Sequence, residues 1–215
     1  MLFRSANTSS ATDTTIPINN LSNFELYAVR KESLSTNAYF MLSSSYSSST
    51  AADNFNITTS VVKNIYDDQR WNFAVRIKPQ GYDISDLASP SSPTNYIIEL
   101  YGVSTIGDYK VEEVSGSAIV GYNRGLALLC NPRRLYVGSK KDNVTGSLSV
   151  GSDLKISSTR LWFDYLSNDT IYNNAIQGNV AGNEFSYRSA YLGQTQLSGA
   201  FIPKIDTLAL NWEFN

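Results

Sequence analysis

The feature that constrains this chain most is a run of strict alternation over residues 71–78. Trp71, Phe73, Val75 and Ile77 fall on one side of an extended backbone, and Asn72, Ala74, Arg76 and Lys78 fall on the other. Successive side chains point to opposite faces in a strand, so the pattern predicts a strand with one buried and one wet face. Pro79 and Gly81 end it. Proline cannot donate to a ladder and glycine favours turns.

The same period returns near the far end. Over residues 207–214, Leu208, Leu210, Trp212 and Phe214 point in, and Ala209, Asn211 and Glu213 point out. Between these runs lie further strand patterns at 23–30, 38–42, 57–63, 95–103, 109–114, 118–120 and 135–138. In the first of them Phe24, Leu26 and Ala28 share a face. A long pattern at 153–166 slips phase near Thr159 to Leu161, the signature of a β-bulge. Residues 5–16, 43–52 and 84–94 are rich in Ser, Thr, Asn or Pro and read as loops or a mobile arm.

One short helix is expected over 168–177. Ser167 or Asn168 caps it, Asp169 suits the N-terminal dipole, and Ile171 and Ala175 stand four apart. About ten or more strands spaced by turn signals imply an all-β chain of two packed antiparallel sheets. One-sided alternation argues against a parallel sheet, whose strands are apolar on both faces. A length of 215 residues suits one such domain. We therefore expect residues 1–22 as an N-terminal arm or first edge strand and 23–215 as the sandwich.

The residue inventory narrows the chemistry. There is no histidine and one cysteine. Ser-His-Asp and Cys-His catalysis and His- or thiolate-ligated metal sites are thereby excluded. Cys130 ends the apolar stretch Leu126-Ala127-Leu128-Leu129 and reads as a small buried hydrophobe. Trp71, Trp162 and Trp212 lie in apolar alternation and read as core. Two carboxylates could still serve a glycosidase, but Glu112 and Glu113 are adjacent in a strand and must face opposite ways. Glu25 and Glu99 are isolated, so no enzyme activity is expected.

Net charge is −2, without the basic stripe that nucleic acid requires. Arg133-Arg134 and Lys140-Lys141 read as solvated strand-end charges. No apolar run reaches the ~18–20 residues of a membrane-spanning helix, and Met1-Leu2-Phe3-Arg4 turns polar too soon for a signal peptide. No cofactor is called for. Calcium is the one ion with a donor set to consider, from Asp67 and Asp68 or from Asp142 and Asn143. Turn Asp and Asn more often bond their own backbone. A flat ring covers the apolar face of a sugar, which makes Tyr101, Tyr122, Tyr136, Tyr187 and Tyr191 the candidates for glycan binding.

Three segments carry a resemblance: residues 64–79, with the pattern YDD-x-x-WNF-x-VR-x-KP; residues 134–139; and residues 202–214, ending DTLALNWEF. Together they resemble the concanavalin A-like, laminin-G-like domains of large virion structural proteins of tailed phages, notably marine ones. The similarity runs from about Phe24 to the C-terminus. It implies a two-sheet jelly roll, non-catalytic and carried on the particle surface. Its partners would be other virion proteins, copies of itself and host-surface glycan. It could belong to a tail, baseplate, fibre or capsid decoration. Some laminin-G-like relatives bind glycans or calcium at the rim, so a lectin-like module is the alternative. No calcium ligand is carried over from them.

Overall fold

The computed structural model describes residues 2–7, 24–44, 54–66, 69–80, 95–141, 148–152, 154–176, 194–197, 200–203 and 208–214. The chain runs β1 (Phe3–Asn7), β2 (Phe24–Arg30), β3 (Ala38–Ser44), β4 (Asn56–Thr58), β5 (Trp71–Pro79), β6 (Tyr96–Ile106) and β7 (Tyr109–Val120). It continues through α1 (Tyr122–Cys130), β8 (Arg133–Val137), β9 (Ser139–Lys141), β10 (Leu148–Gly151), β11 (Ser158–Trp162), α2 (Asn168–Ile176), β12 (Gln194–Leu197), β13 (Ala200–Pro203) and β14 (Leu208–Glu213). The described chain is mostly β, and its strand pairs are antiparallel.

A five-stranded sheet has the order β4-β3-β2-β1-β8, and a three-stranded sheet has the order β5-β6-β7. Three strand pairs stand apart: β9 with β10, β11 with β14, and β12 with β13. The five- and three-stranded sheets pack face to face. Phe40 of β3 reaches across to Trp71 and Phe73 of β5, with ring centroids 4.9 and 4.5 Å away. Phe24, Leu26, Leu42 and Ile57 from one sheet meet Ile98, Leu100, Val114 and Val120 from the other. Leu128 of α1 closes the same cluster. Each such side chain contributes about 1.5–3 kcal/mol when taken fully from water.

The face of β5 predicted to be wet is covered. Tyr101 and Val103 of β6 form a second cluster with Leu166, Ile171 and Ala175, and Ala74 and Trp162 pack against it. Residues 162–176 therefore lie on the outer face of the three-stranded sheet. Alternation identified which residues share a face of β5, and the segment laid over that face decided its burial.

Other expectations change in detail. Phe3–Asn7 is neither an arm nor an edge strand: it pairs β2 through Phe3 opposite Leu26 and β8 through Phe3 opposite Val137. Its polar side chains hid it, but the ladder needs only backbone groups. The pattern at 57–63 shortens to β4 plus a bridge from Val62 to Ala38. The two short patterns at 109–114 and 118–120 are one strand, β7. Ser115-Gly116-Ser117 interrupts its apolar rhythm because β4 passes close by. A Cβ on Gly116 would meet Ile57 Cγ2 at 2.6 Å. The expected bulge is present, with the register of β11 on β14 shifting between Leu161 and Trp162.

The expected helix forms as α2, and Ser167 Oγ accepts from the Thr170 N–H as its cap. Helix α1 was not foreseen. It seats Gly125 on Tyr96, where a Cβ would lie 2.0 Å from Tyr96 Cδ2. Arg124 is fully buried there and donates to Ser44 Oγ at 2.7 Å, tying α1 to β3.

Candidate interaction surface

The densest polar chemistry in the described chain lies under residues 162–176. Arg76 and Lys78 project from β5 on either side of Glu99 of β6, each 3.1 Å from a carboxylate oxygen. Tyr165 donates its hydroxyl to Glu99 Oε2 at 2.6 Å and accepts from Lys78 at 3.3 Å. The Tyr165 ring also lies beneath both cations, at 4.8 Å from the Arg76 guanidinium and 4.4 Å from Lys78 Nζ. Arg76 Nη1 donates to the Leu166 carbonyl at 2.8 Å, and Asn72 Nδ2 to the Ile171 carbonyl at 3.2 Å.

This cluster has one carboxylate and two cations. Burial alone would raise the Glu99 pKa. The Tyr165 and Lys78 hydrogen bonds and the Arg76 and Lys78 charges outweigh burial and hold it below the ordinary value. Burial would likewise lower the Lys78 pKa, but Glu99 and Tyr165 hold it above its ordinary value. Burial and the hydrogen bond to Glu99 push the Tyr165 phenol up. All three groups are locked in the forms they already hold at neutral pH. The arrangement fastens a segment to a sheet and offers no group poised to exchange a proton.

Glu112 and Glu113 occupy opposite faces, as adjacent strand residues must. Glu113 stands opposite Val103 and pairs with Lys110, while Glu112 stands opposite Ser104.

The residues proposed for ligand binding are scattered. Tyr101 is 1% exposed, so its assignment as a glycan platform is corrected. The Arg76 guanidinium lies 5.4 Å from its ring centroid, and residues 162–176 roof it over. Burial and a hydrogen bond with Glu113 push its phenol up to about 12. Tyr122 is exposed at the start of α1, with its ring 6.3 Å from that of Tyr96. Tyr136 is half-buried in β8. These three sit on separate elements. Tyr187, Tyr191, Asp67, Asp68, Asp142 and Asn143 lie outside the described residues. Among the described residues no three His, Cys, Asp or Glu gather as a metal site would require.

The structure instead presents apolar surface. Trp212 is 52% exposed, which corrects its reading as core. Beside it, Phe214 packs edge-on at 6.5 Å, and Leu161 and Phe163 are exposed as well, Phe163 at 83%. Strand β14 rests on β11, with Trp212 opposite Thr159 and Leu210 opposite Leu161. The opposite face of this pair is polar: Arg160 Nε donates to Asn211 Oδ1 at 2.9 Å, and Asn211 Nδ2 donates to Glu213 Oε1 at 3.1 Å. Alternation placed Trp212 with Leu208 and Leu210, but it does not say whether a face is covered.

A second apolar surface lies on α1. Cys130 is exposed there, which corrects its reading as a buried hydrophobe. Arg124, Gly125 and Leu128 turn inward, while Tyr122, Asn123, Leu126, Leu129 and Cys130 are exposed. Leu126 and Leu129 were read only as part of an apolar run. Their spacing from Tyr122, four and then three residues, was the signal for a helical stripe.

Comparison with protein-family models, with curated proteins and with solved structures returns no match.

Proposed function

We propose that this chain is a non-catalytic virion structural protein, a jelly-roll module that works by docking other proteins of a phage particle, as part of a tail, baseplate, fibre or capsid decoration. The observation that carries the reading is the exposed apolar surface of Leu161, Trp212 and Phe214 along the β11–β14 pair. Contiguous exposed apolar surface marks a place where another macromolecule binds. The resemblance of residues 64–79 and 202–214 to phage virion domains supports the choice of partner. The net charge of −2 and the lack of a basic stripe give no support to a nucleic-acid partner.

The test is mass spectrometry of density-purified particles from a culture carrying this sequence. The chain is expected in many copies per particle. Its absence from particles, together with binding of the free chain to a defined oligosaccharide, would instead establish the lectin-like reading. One observation favours that second reading: Tyr122 offers an exposed ring, and loss of sugar binding in Tyr122→Ala would identify it as the platform.

A further inference from the structure

The segment laid over the outer face of the three-stranded sheet is held differently from the sheet beneath it. The strands are joined by backbone ladders, β5 to β6 from Trp71 to Pro79 and β6 to β7 from Tyr96 to Ile106. Residues 164–176 are tied on through side chains. Asn72 Nδ2 donates to the Ile171 carbonyl and Arg76 Nη1 to the Leu166 carbonyl. The Tyr165 hydroxyl donates to Glu99, and the Tyr172 hydroxyl donates to the Asp108 carbonyl at 2.9 Å. The apolar hold is small as well. Leu166, Ile171 and Ala175 meet Tyr101 and Val103, on the far side of the sheet from the larger cluster.

Three features make this cover separable from the sandwich. Helix α2 has 9 residues. Isolated helices shorter than ~12–15 residues are marginal in water, so α2 is ordered by its docking and leaves as a unit. The face beneath it carries Asn72, Arg76, Lys78 and Glu99, groups that water solvates well, so opening uncovers few apolar side chains. Closure also leaves a donor unmade. The Arg76 side chain is only 10% exposed, its Nε is buried, and no protein group accepts from that atom. A buried donor without a partner costs free energy that the open state recovers.

We propose that residues 164–176 form a strap that opens and recloses while the sandwich stays folded, and that thereby withholds the outer face of the three-stranded sheet. Tyr101 and Val103 meet water only in the open state, with Asn72, Arg76, Lys78 and Glu99 around them. Glu99 is the latch, because it holds Arg76, Lys78 and Tyr165 at once. An opening of this kind differs from global unfolding in its response to changes elsewhere. Weakening the core between the two sheets shifts global unfolding and leaves the strap's own equilibrium unaltered.

The experiment uses the full chain with one thiol at a time, in a Cys130→Ser background. Val103→Cys lies under the strap, and Val114→Cys lies between the two sheets. Both valines are buried, on opposite faces of the same sheet. With excess iodoacetamide, position 103 is expected to label at least about ten-fold faster than position 114. Adding Ile98→Val, a change on the inner face of β6, is expected to speed labelling at 114 several-fold and to leave 103 unchanged. Glu99→Gln is expected to speed labelling at 103 by about ten-fold. Hydrogen exchange of the unsubstituted chain reads the same opening without a new thiol: amides of α2 are expected to exchange well ahead of those of β6. Equal labelling at the two positions overturns the strap, as does a rise at 103 in step with 114 when Ile98→Val is added. So does exchange of α2 as slow as that of β6, or Glu99→Gln without effect at 103.

Discussion

Glu99 stands between Arg76 and Lys78 and accepts from Tyr165, with 17% of its side chain exposed. Its carboxylate is the hub of the polar contacts that hold residues 162–176 on the sheet. Replacing it as Glu99→Gln keeps the shape and removes the charge from between two cations. Hydrogen bonds to charged groups are worth about 1.5–3 kcal/mol, so a loss of about 2 kcal/mol is expected in urea unfolding. The pH dependence carries the sign. Because the folded pKa of Glu99 lies below its ordinary 4.5, its contribution is complete above that value and is lost as pH falls through the folded one. Lys78 runs the other way: its contribution is complete below its ordinary 10.5 and is lost only as pH rises through the higher folded value. Stability of the parent is therefore expected to fall more steeply in acid than that of Glu99→Gln. Parallel acid limbs for the two chains would show that Glu99 is not ionically engaged. Little of this was legible in the sequence. Glu99 looked isolated because its partners come from β5 and from a segment more than sixty residues further on.

At the scale of elements, Gly125 gives the clearest test, because two effects oppose each other there. In an open helix glycine to alanine gains about 1 kcal/mol of propensity. In α1 a Cβ at 125 would lie 2.0 Å from Cδ2, 2.2 Å from Cγ and 2.6 Å from Cβ of Tyr96. Those atoms sit near the base of the tyrosine, where a rotamer change gives little relief. Overpacking costs about 1–3 kcal/mol, so Gly125→Ala is expected to lower the melting temperature. A rise would mean that α1 does not rest on Tyr96. The strands were readable where one face is buried and the other polar, as in β5, since period two then survives in the residue types. They were not readable where another constraint sets those types. β1 is paired on both sides while carrying Arg, Ser and Asn, and β7 needs a glycine where β4 crosses it. α1 was missed because its apolar residues line two sides, one packed on the core and one open.

For the whole molecule, two apolar clusters flank the three-stranded sheet, and two further apolar surfaces, on α1 and on β11 with β14, remain in contact with water. The sequence could not assign Trp212 to the right group, because alternation fixes a residue's face and the rest of the chain decides what lies over it. Its exposure separates stability from function. Trp212→Ser is expected to change the unfolding free energy by about 1 kcal/mol or less, well under the ~3–5 kcal/mol of a core tryptophan truncation, and yet to reduce incorporation into particles. A collapse in stability would return Trp212 to the core. The most direct measurement is hydroxyl-radical footprinting of the chain free in solution and within purified particles, read at Trp212 and Phe214. Docking through this surface predicts strong protection of both side chains in the particle and ready oxidation in the free chain. Equal oxidation in both states would contradict it.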